Sequence, residues 1–204
     1  MYKYPVIVFE GIETSGKSTN LNIAVNYLKK QKKSFIKLRE PGGTKTSEKI
    51  RKLLLNKKIK LNNKTDLMLF YASRSENFEK KIKKNYKKKI ILIDRFSDST
   101  IAYQHYGMNI NLKLIKTINK FIIGSFKPDI TFLSTVNLKN LKTRLNKRLK
   151  LNRYDKFKIN FYSKVQKGYY KISKKNRKYL IIDSNKMTIK EVKKYIINKL
   201  EKII

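Results

Sequence analysis

Residues Gly11-Ile12-Glu13-Thr14-Ser15-Gly16-Lys17-Ser18 match the pattern G-x-x-x-x-G-K-[ST], and their flanks leave few folds open. Val6-Ile7-Val8-Phe9 before them is an apolar run suited to a buried strand, and Leu21, Ala24, Val25 and Leu28 after them recur at helical spacing. A glycine-rich turn between a buried strand and a helix cradles phosphate, because its backbone N–H groups and the helix N-terminus converge on phosphate oxygens. Lys17 then reaches the outer phosphates and the Ser18 hydroxyl can ligand magnesium. Residues 11–19, Thr19 included, form the expected nucleotide cradle, with the Lys17 ammonium solvated until phosphate arrives.

A chain of 204 residues suits one well-buried α/β domain, 1–204. It has no cysteine, which excludes disulfides, thiolate metal sites and cysteine nucleophiles. The N-terminal apolar run meets Glu10 too soon for a signal segment, and no stretch approaches a membrane span. The cytoplasm is therefore the expected location, with no membrane partner. The net charge of +37 invites a nucleic-acid reading, but the lysines are spread through nearly every segment, from Lys29-Lys30 to Lys193-Lys194. Such a distribution reads as solvated faces, so no specific nucleic-acid partner is expected. Arginine is scarce by comparison and marks places where a planar fork of donors is needed: Arg39, Arg51, Arg74, Arg95, Arg144, Arg148, Arg153 and Arg177.

Short apolar runs at Val6 to Phe9, Ser34 to Leu38, Ile90 to Ile93, Ile130 to Leu133 and Leu180 to Ile182 alternate with helical patterns. The helices expected after the phosphate turn are Glu48 to Leu55, Asp66 to Ile82, Leu112 to Ile123, Leu138 to Leu149, Phe157 to Ile172 and Ile189 to Ile203. Alternation of this kind predicts a P-loop three-layer α/β sandwich: a five-stranded parallel sheet with helices on both faces. Ligands collect at the carboxyl ends of such strands, where the phosphate turn, Arg39-Glu40 and Asp94-Arg95 all fall. Asp94 is a candidate magnesium ligand. Glu13, an acid inside a phosphate loop, makes sense only if it serves a metal ion or the partners of an acceptor phosphate.

Along essentially its whole length the chain resembles the thymidylate kinase family. The resemblance rests on Phe9-Glu10-Gly11-Ile12-Glu13, Arg39-Glu40-Pro41-Gly42-Gly43-Thr44, Leu69-Phe70-Tyr71-Ala72-Ser73-Arg74, Asp94-Arg95-Phe96 with Ser99, Ala102-Tyr103-Gln104, and Lys127-Pro128-Asp129. It implies transfer of the γ-phosphoryl group of ATP to dTMP with magnesium, and a symmetric homodimer. It also implies that Phe70 stacks on the base and Arg74 donates to a ring oxygen. Arg39 and Arg95 would hold the acceptor phosphate with Arg51 nearby, and Ser99, Thr100 and Gln104 would line the base site. Tyr103 would fill the space of a ribose 2′-hydroxyl, and Arg144 would lie near adenine. Within the family the chain resembles the bacterial type, in which the transition-state cation comes from a mobile lid; here the lid is about 144–156, with Arg144, Lys147, Arg148, Lys150 and Arg153, and Arg148 and Arg153 are the catalytic candidates. Three positions depart from the family's pattern. Thr14 replaces glycine, which implies a backbone that a β-branched residue tolerates; His105 to Met108 replace a glycine-rich loop; Asn152 stands where Asp is usual. The alternatives are another nucleoside monophosphate kinase, or a nucleotide-binding regulator with nucleic-acid affinity.

Overall fold

The computed structural model describes residues 4–149 and 151–204, so Lys150 of the expected lid lies outside the described residues. Five strands, β1 (Val6–Gly11), β2 (Phe35–Arg39), β3 (Ile90–Asp94), β4 (Ile130–Thr135) and β5 (Tyr179–Asp183), form one parallel sheet in the order β2-β3-β1-β4-β5. Around it run α1 (Lys17–Lys30), α2 (Lys45–Leu55), α3 (Asn63–Asn77), α4 (Lys83–Asn85), α5 (Ser97–Thr100), α6 (Leu112–Ile123), α7 (Leu138–Asn146), α8 (Ile159–Lys174) and α9 (Ile189–Glu201). The five-stranded parallel sheet covered on both faces is the architecture that the alternation predicts.

Successive side chains of a strand point to opposite faces, and β1 divides the core accordingly. Ile7 and Phe9 join Leu92 and Phe132 against Leu21, Ala24 and Leu28 of α1 and Val192, Ile196 and Leu200 of α9. Val6 and Val8 join Ile91, Ile93, Leu38, Ile82 and Ile123 on the other face. Phe9 stacks on Phe132 at 5.2 Å with no exposure, so Phe9→Ala would cost about 3–5 kcal/mol. A third cluster is built from tyrosines 103, 154, 162, 169 and 179 with Ile12, Leu133 and Leu141. Buried phenols need partners. Each of these has one: Glu13, Asp66, the Tyr154 carbonyl, Glu10 and Asp98 respectively.

The strand register lines up the chemistry. Asp94 pairs with Phe9 of β1 and Arg39 of β2, and Gly11 pairs with Ser134 of β4. Three helical expectations are corrected. α3 ends at Asn77 and continues as a π-helical turn, Phe78–Ile82, before α4. α7 ends at Asn146 rather than Leu149, because Leu141 is its last fully buried side chain and Leu149 is 100% exposed. His105 is not in a loop: α5 runs on as a π-helical segment, Ile101–Gly107, that buries Ala102, Tyr103 and Gln104 in succession. Three consecutive buried residues match no 3.6-residue stripe, so periodicity misses this element.

Acidic side chains are few, 14 against 51 Lys and Arg, and nearly all are partnered. Among the described residues every Asp and Glu except Glu201 accepts a hydrogen bond or an ion pair, and most lysines have no acidic partner.

Candidate active site

β1 delivers the chain to Gly11, whose φ of +141° puts it where a Cβ would lie 2.3 Å from the Ser134 carbonyl oxygen. Only glycine passes there. Gly16, at φ +91°, turns the loop into α1, which has neither a side-chain cap nor an acid in its first turn. Its first N–H groups are thus left for an anion. Ser15 Oγ donates to the Ile12 carbonyl at 2.8 Å and braces the turn. Thr14 has φ +55°, the left-handed region, and its buried hydroxyl has no hydrogen-bond partner. The backbone here is therefore one that a β-branched residue tolerates poorly, at about 1–2 kcal/mol. That corrects the expectation for this position.

Lys17 also differs from expectation. Rather than standing solvated, it is 9% exposed and pairs with Asp94. Burial and the neighbouring Arg95 pull its pKa below the ordinary lysine value, against the pull of Asp94. Burial pushes Asp94 up, but Lys17 and Arg95 outweigh it and hold the carboxylate below its usual range. Ser18 and Thr19 face the same cleft from the first turn of α1.

The cleft is a continuous hollow of about 600 Å³ that runs from the phosphate loop to Phe70. Arg95 follows β3 with φ +66°, its N–H bonded to the Phe9 carbonyl at 2.9 Å. This turn sends its guanidinium to Glu13 at 3.0 Å and over the Tyr103 ring at 5.0 Å. Glu13 also accepts from the Tyr103 hydroxyl at 2.6 Å. Burial raises the Tyr103 phenol far above its ordinary pKa, so it stays a donor. The acid of the phosphate loop thus holds two side chains, Arg95 and Tyr103, that line the same cleft.

Other predicted residues divide. Phe70, Arg51, Arg95, Ser99, Thr100, Tyr103 and Gln104 line the cleft, and Arg51 is held by the Pro41 carbonyl at 2.7 Å. Arg39 does not line it; its fork is turned outward to Glu48, at 2.7 Å and 3.1 Å. Arg74 lies a turn beyond Phe70, 1% exposed and behind the cleft wall. There it donates to Glu40 at 2.7 Å and to the Phe96 carbonyl and Thr100 Oγ1, both at 3.0 Å. It ties the Glu40 loop to α5. In the expected lid, Arg144 reaches the Thr14 carbonyl at 3.0 Å and Ser184 at 3.1 Å. Lys147 and Arg148 line the cleft, with Arg148 half exposed and paired with the buried Asp155. Arg153 does not line the cleft. It donates to Asp66 and, at 2.9 Å, to the Leu54 carbonyl. Asn152 Oδ1 accepts from Tyr154 N–H at 2.8 Å, closing the turn that leads to Asp155.

Sequence reasoning misses Glu10, Asp66, Tyr154 and Tyr169. Glu10 is fully buried, and its carboxylate accepts from Phe96 N–H at 2.8 Å, Ser99 Oγ at 2.6 Å and Tyr169 at 2.9 Å. Burial pushes it up to about 7. It takes the place of a side-chain cap for α5, holding Ser99 and Thr100 at the cleft. A charged residue closing an otherwise apolar strand was the available signal.

The family model of thymidylate kinase matches residues 9–196. A thymidylate kinase from Thermosipho africanus is 43% identical over 143 residues, covering 70% of this chain and 71% of the relative. One from Sulfurihydrogenibium sp. is 39% identical over 143 residues, covering 69% and 70%. The crystal structure of thymidylate kinase from Ehrlichia chaffeensis superposes with a TM-score of 0.77 at 35% identity, over 97% of this chain and 98% of that one.

Proposed function

We propose, from the premise that this chain belongs to the thymidylate kinase family and is a phosphotransferase converting dTMP to dTDP, that a single cleft seats both nucleotides. ATP lies over residues 11–19 with Arg144 beside its base, and dTMP lies against Phe70, Thr100, Tyr103 and Gln104. The observation that supports this reading most is the Glu13 carboxylate, which belongs to the phosphate loop yet takes Arg95 and Tyr103 as partners. Donor and acceptor sites so joined suit direct, in-line transfer.

Phosphoryl transfer gives a protein little covalent work, so cations placed on developing charge do most of it. Lys17 serves the outer phosphates of ATP, Arg95 and Arg51 the acceptor phosphate, and Arg148 the transferring group as the lid, residues 144–156 of a single 1–204 domain, closes and expels water. Ser18 hydroxyl and Asp94 carboxylate are hard oxygen donors within one cleft, which fits an ion held mostly by phosphates and waters. They would hold magnesium, which when bound supplies charge neutralisation at the phosphate oxygens. Phe121 is 89% exposed, and Leu114 shares its face of α6 one heptad away, with Met68 also exposed on α3. This apolar face suits a symmetric homodimer. Among the described residues no helix is long and apolar enough to cross a membrane, and a cytoplasmic location accords with dTTP synthesis.

A coupled ADP-release assay over dTMP, dUMP, dCMP, dGMP and AMP tests the reading. Preference for dTMP is expected. Preference for another monophosphate, or nucleic-acid binding with no transfer, would overturn it.

A further inference from the structure

Asp66 lies in the first turn of α3, 1% exposed, and lines no part of the cleft. Its two oxygens collect donors from two sides. From the lid come Arg153 and the Tyr154 hydroxyl, the latter at 2.6 Å and 2.9 Å; from the π-helical segment comes Gln104 Nε2 at 3.1 Å. A carboxylate only accepts, so its neighbour must turn the NH₂ end of the amide toward it. The amide oxygen of Gln104 is then left over, on a residue that lines the cleft. Tyr154 in turn sets its ring edge-on to both Phe70 and Tyr103, each at 5.9 Å. The lid therefore forms part of the acceptor pocket's wall, and one carboxylate holds lid and pocket together.

We propose that Asp66 is a positioning residue that fixes the Gln104 amide with its oxygen toward the acceptor and seats Arg153 and Tyr154 of the lid against the pocket. The pocket then offers an acceptor to a base with a ring N–H, as a keto pyrimidine has, and confronts the bare ring nitrogen of a cytosine with a second acceptor. Misplaced polar groups in a buried site are costly, which makes one amide's orientation a strong discriminator. The proposal rests on the phosphotransferase reading above.

Asp66→Asn tests it, because an amide at 66 can donate as well as accept and frees Gln104 to turn over. The ratio of kcat/KM for dTMP to that for dCMP should fall at least about tenfold. Trypsin should cut after Lys147 or Arg148 faster than in the parent, while Asp66→Glu, which keeps an acceptor-only group, recovers part of the ratio. A residue that merely stabilised the fold would lower both activities together and leave the ratio alone. A folded Asp66→Asn protein with the parent's ratio, or with the parent's rate of lid cleavage, overturns the proposal. If Asp66→Asn does not fold, Gln104→Met reads the same ratio with the Asp66–Arg153 pair intact, and parent-like discrimination there overturns it. A parent that phosphorylates neither nucleotide sinks the phosphotransferase reading instead.

Discussion

Lys17, the first residue of α1, and Asp94, the last of β3, form an ion pair at the floor of the cleft. In the proposed reaction the ammonium is thereby fixed where phosphate oxygens would arrive, with its reorganisation done in advance. Lys17→Ala should lower kcat by about 10²–10³-fold or more. Asp94 keeps Arg95 and Arg51 as neighbours, so the stability loss should stay near 1–3 kcal/mol and the melt cooperative. ADP release and thermal melting check both. Near-parent turnover in the folded variant would take the loop out of the reaction.

Tyr103 has two separable duties, bulk and a hydrogen bond to Glu13. Tyr103→Ala should narrow the preference for dTMP over its ribo analogue, since exclusion by bulk goes with the ring. Tyr103→Phe should keep that preference while losing about 1 kcal/mol of stability with the hydrogen bond. Equal deoxy-to-ribo kcat/KM ratios in parent and Tyr103→Ala would reject the steric role.

The two lid arginines should part company. Arg148→Ala should cut kcat by about two to four orders of magnitude with little change in dTMP KM. Arg153→Ala strands the buried Asp66 without its cation, so it should lower stability by about 3 kcal/mol and raise dTMP KM, with a smaller effect on kcat. Urea melts and steady-state kinetics separate them. Equal kcat losses at unchanged stability would return both residues to the transferring phosphate.

Glu10 carries a pH signature. Its carboxyl rises on folding from 4.5 to about 7, so the folded protein binds its proton more tightly than the unfolded chain. Stability from this group is therefore full below about pH 4.5 and is lost as pH rises through 7, a change of about 3 kcal/mol. Glu10→Gln imitates the protonated form: its amide oxygen can still accept from Phe96 N–H, while its NH₂ replaces the acceptor oxygen that faces the Ser99 and Tyr169 hydroxyls. The difference in stability between parent and Glu10→Gln should tilt toward the variant from pH 5 to pH 8. A difference that stays flat across this range would mean that Glu10 ionises freely in the fold.

Most of the frame is legible in the chain because fully covered parallel strands leave continuous apolar runs, as Val6 to Phe9 and Ile90 to Ile93 do. The phosphate loop is legible because its spacing of glycines, lysine and serine is a local pattern, with φ +141° at Gly11 and +91° at Gly16. What is hidden depends on partners far away in sequence. Arg39 reads as a fork for a phosphate and Arg74 as a donor to a base, yet Glu48 draws one outward and Glu40 draws the other behind the wall. Arg153 reads as a lid cation until Asp66, distant in sequence, is set beside it. The π-helical segment eludes reading for a different reason: its turn is wider than the period a sequence pattern seeks.

Because the 51 Lys and Arg face only 14 Asp and Glu, nearly all of which already have partners, the positive charge of the surface goes largely unrelieved. Its field extends to about 8 Å at physiological ionic strength and draws in small polyanions before they touch the protein. Nucleotides should consequently be captured by diffusion faster in dilute buffer, with kcat/KM falling as potassium chloride is added and kcat nearly constant. A composition that does nothing for the transfer step would thus still set how often the enzyme meets its substrates.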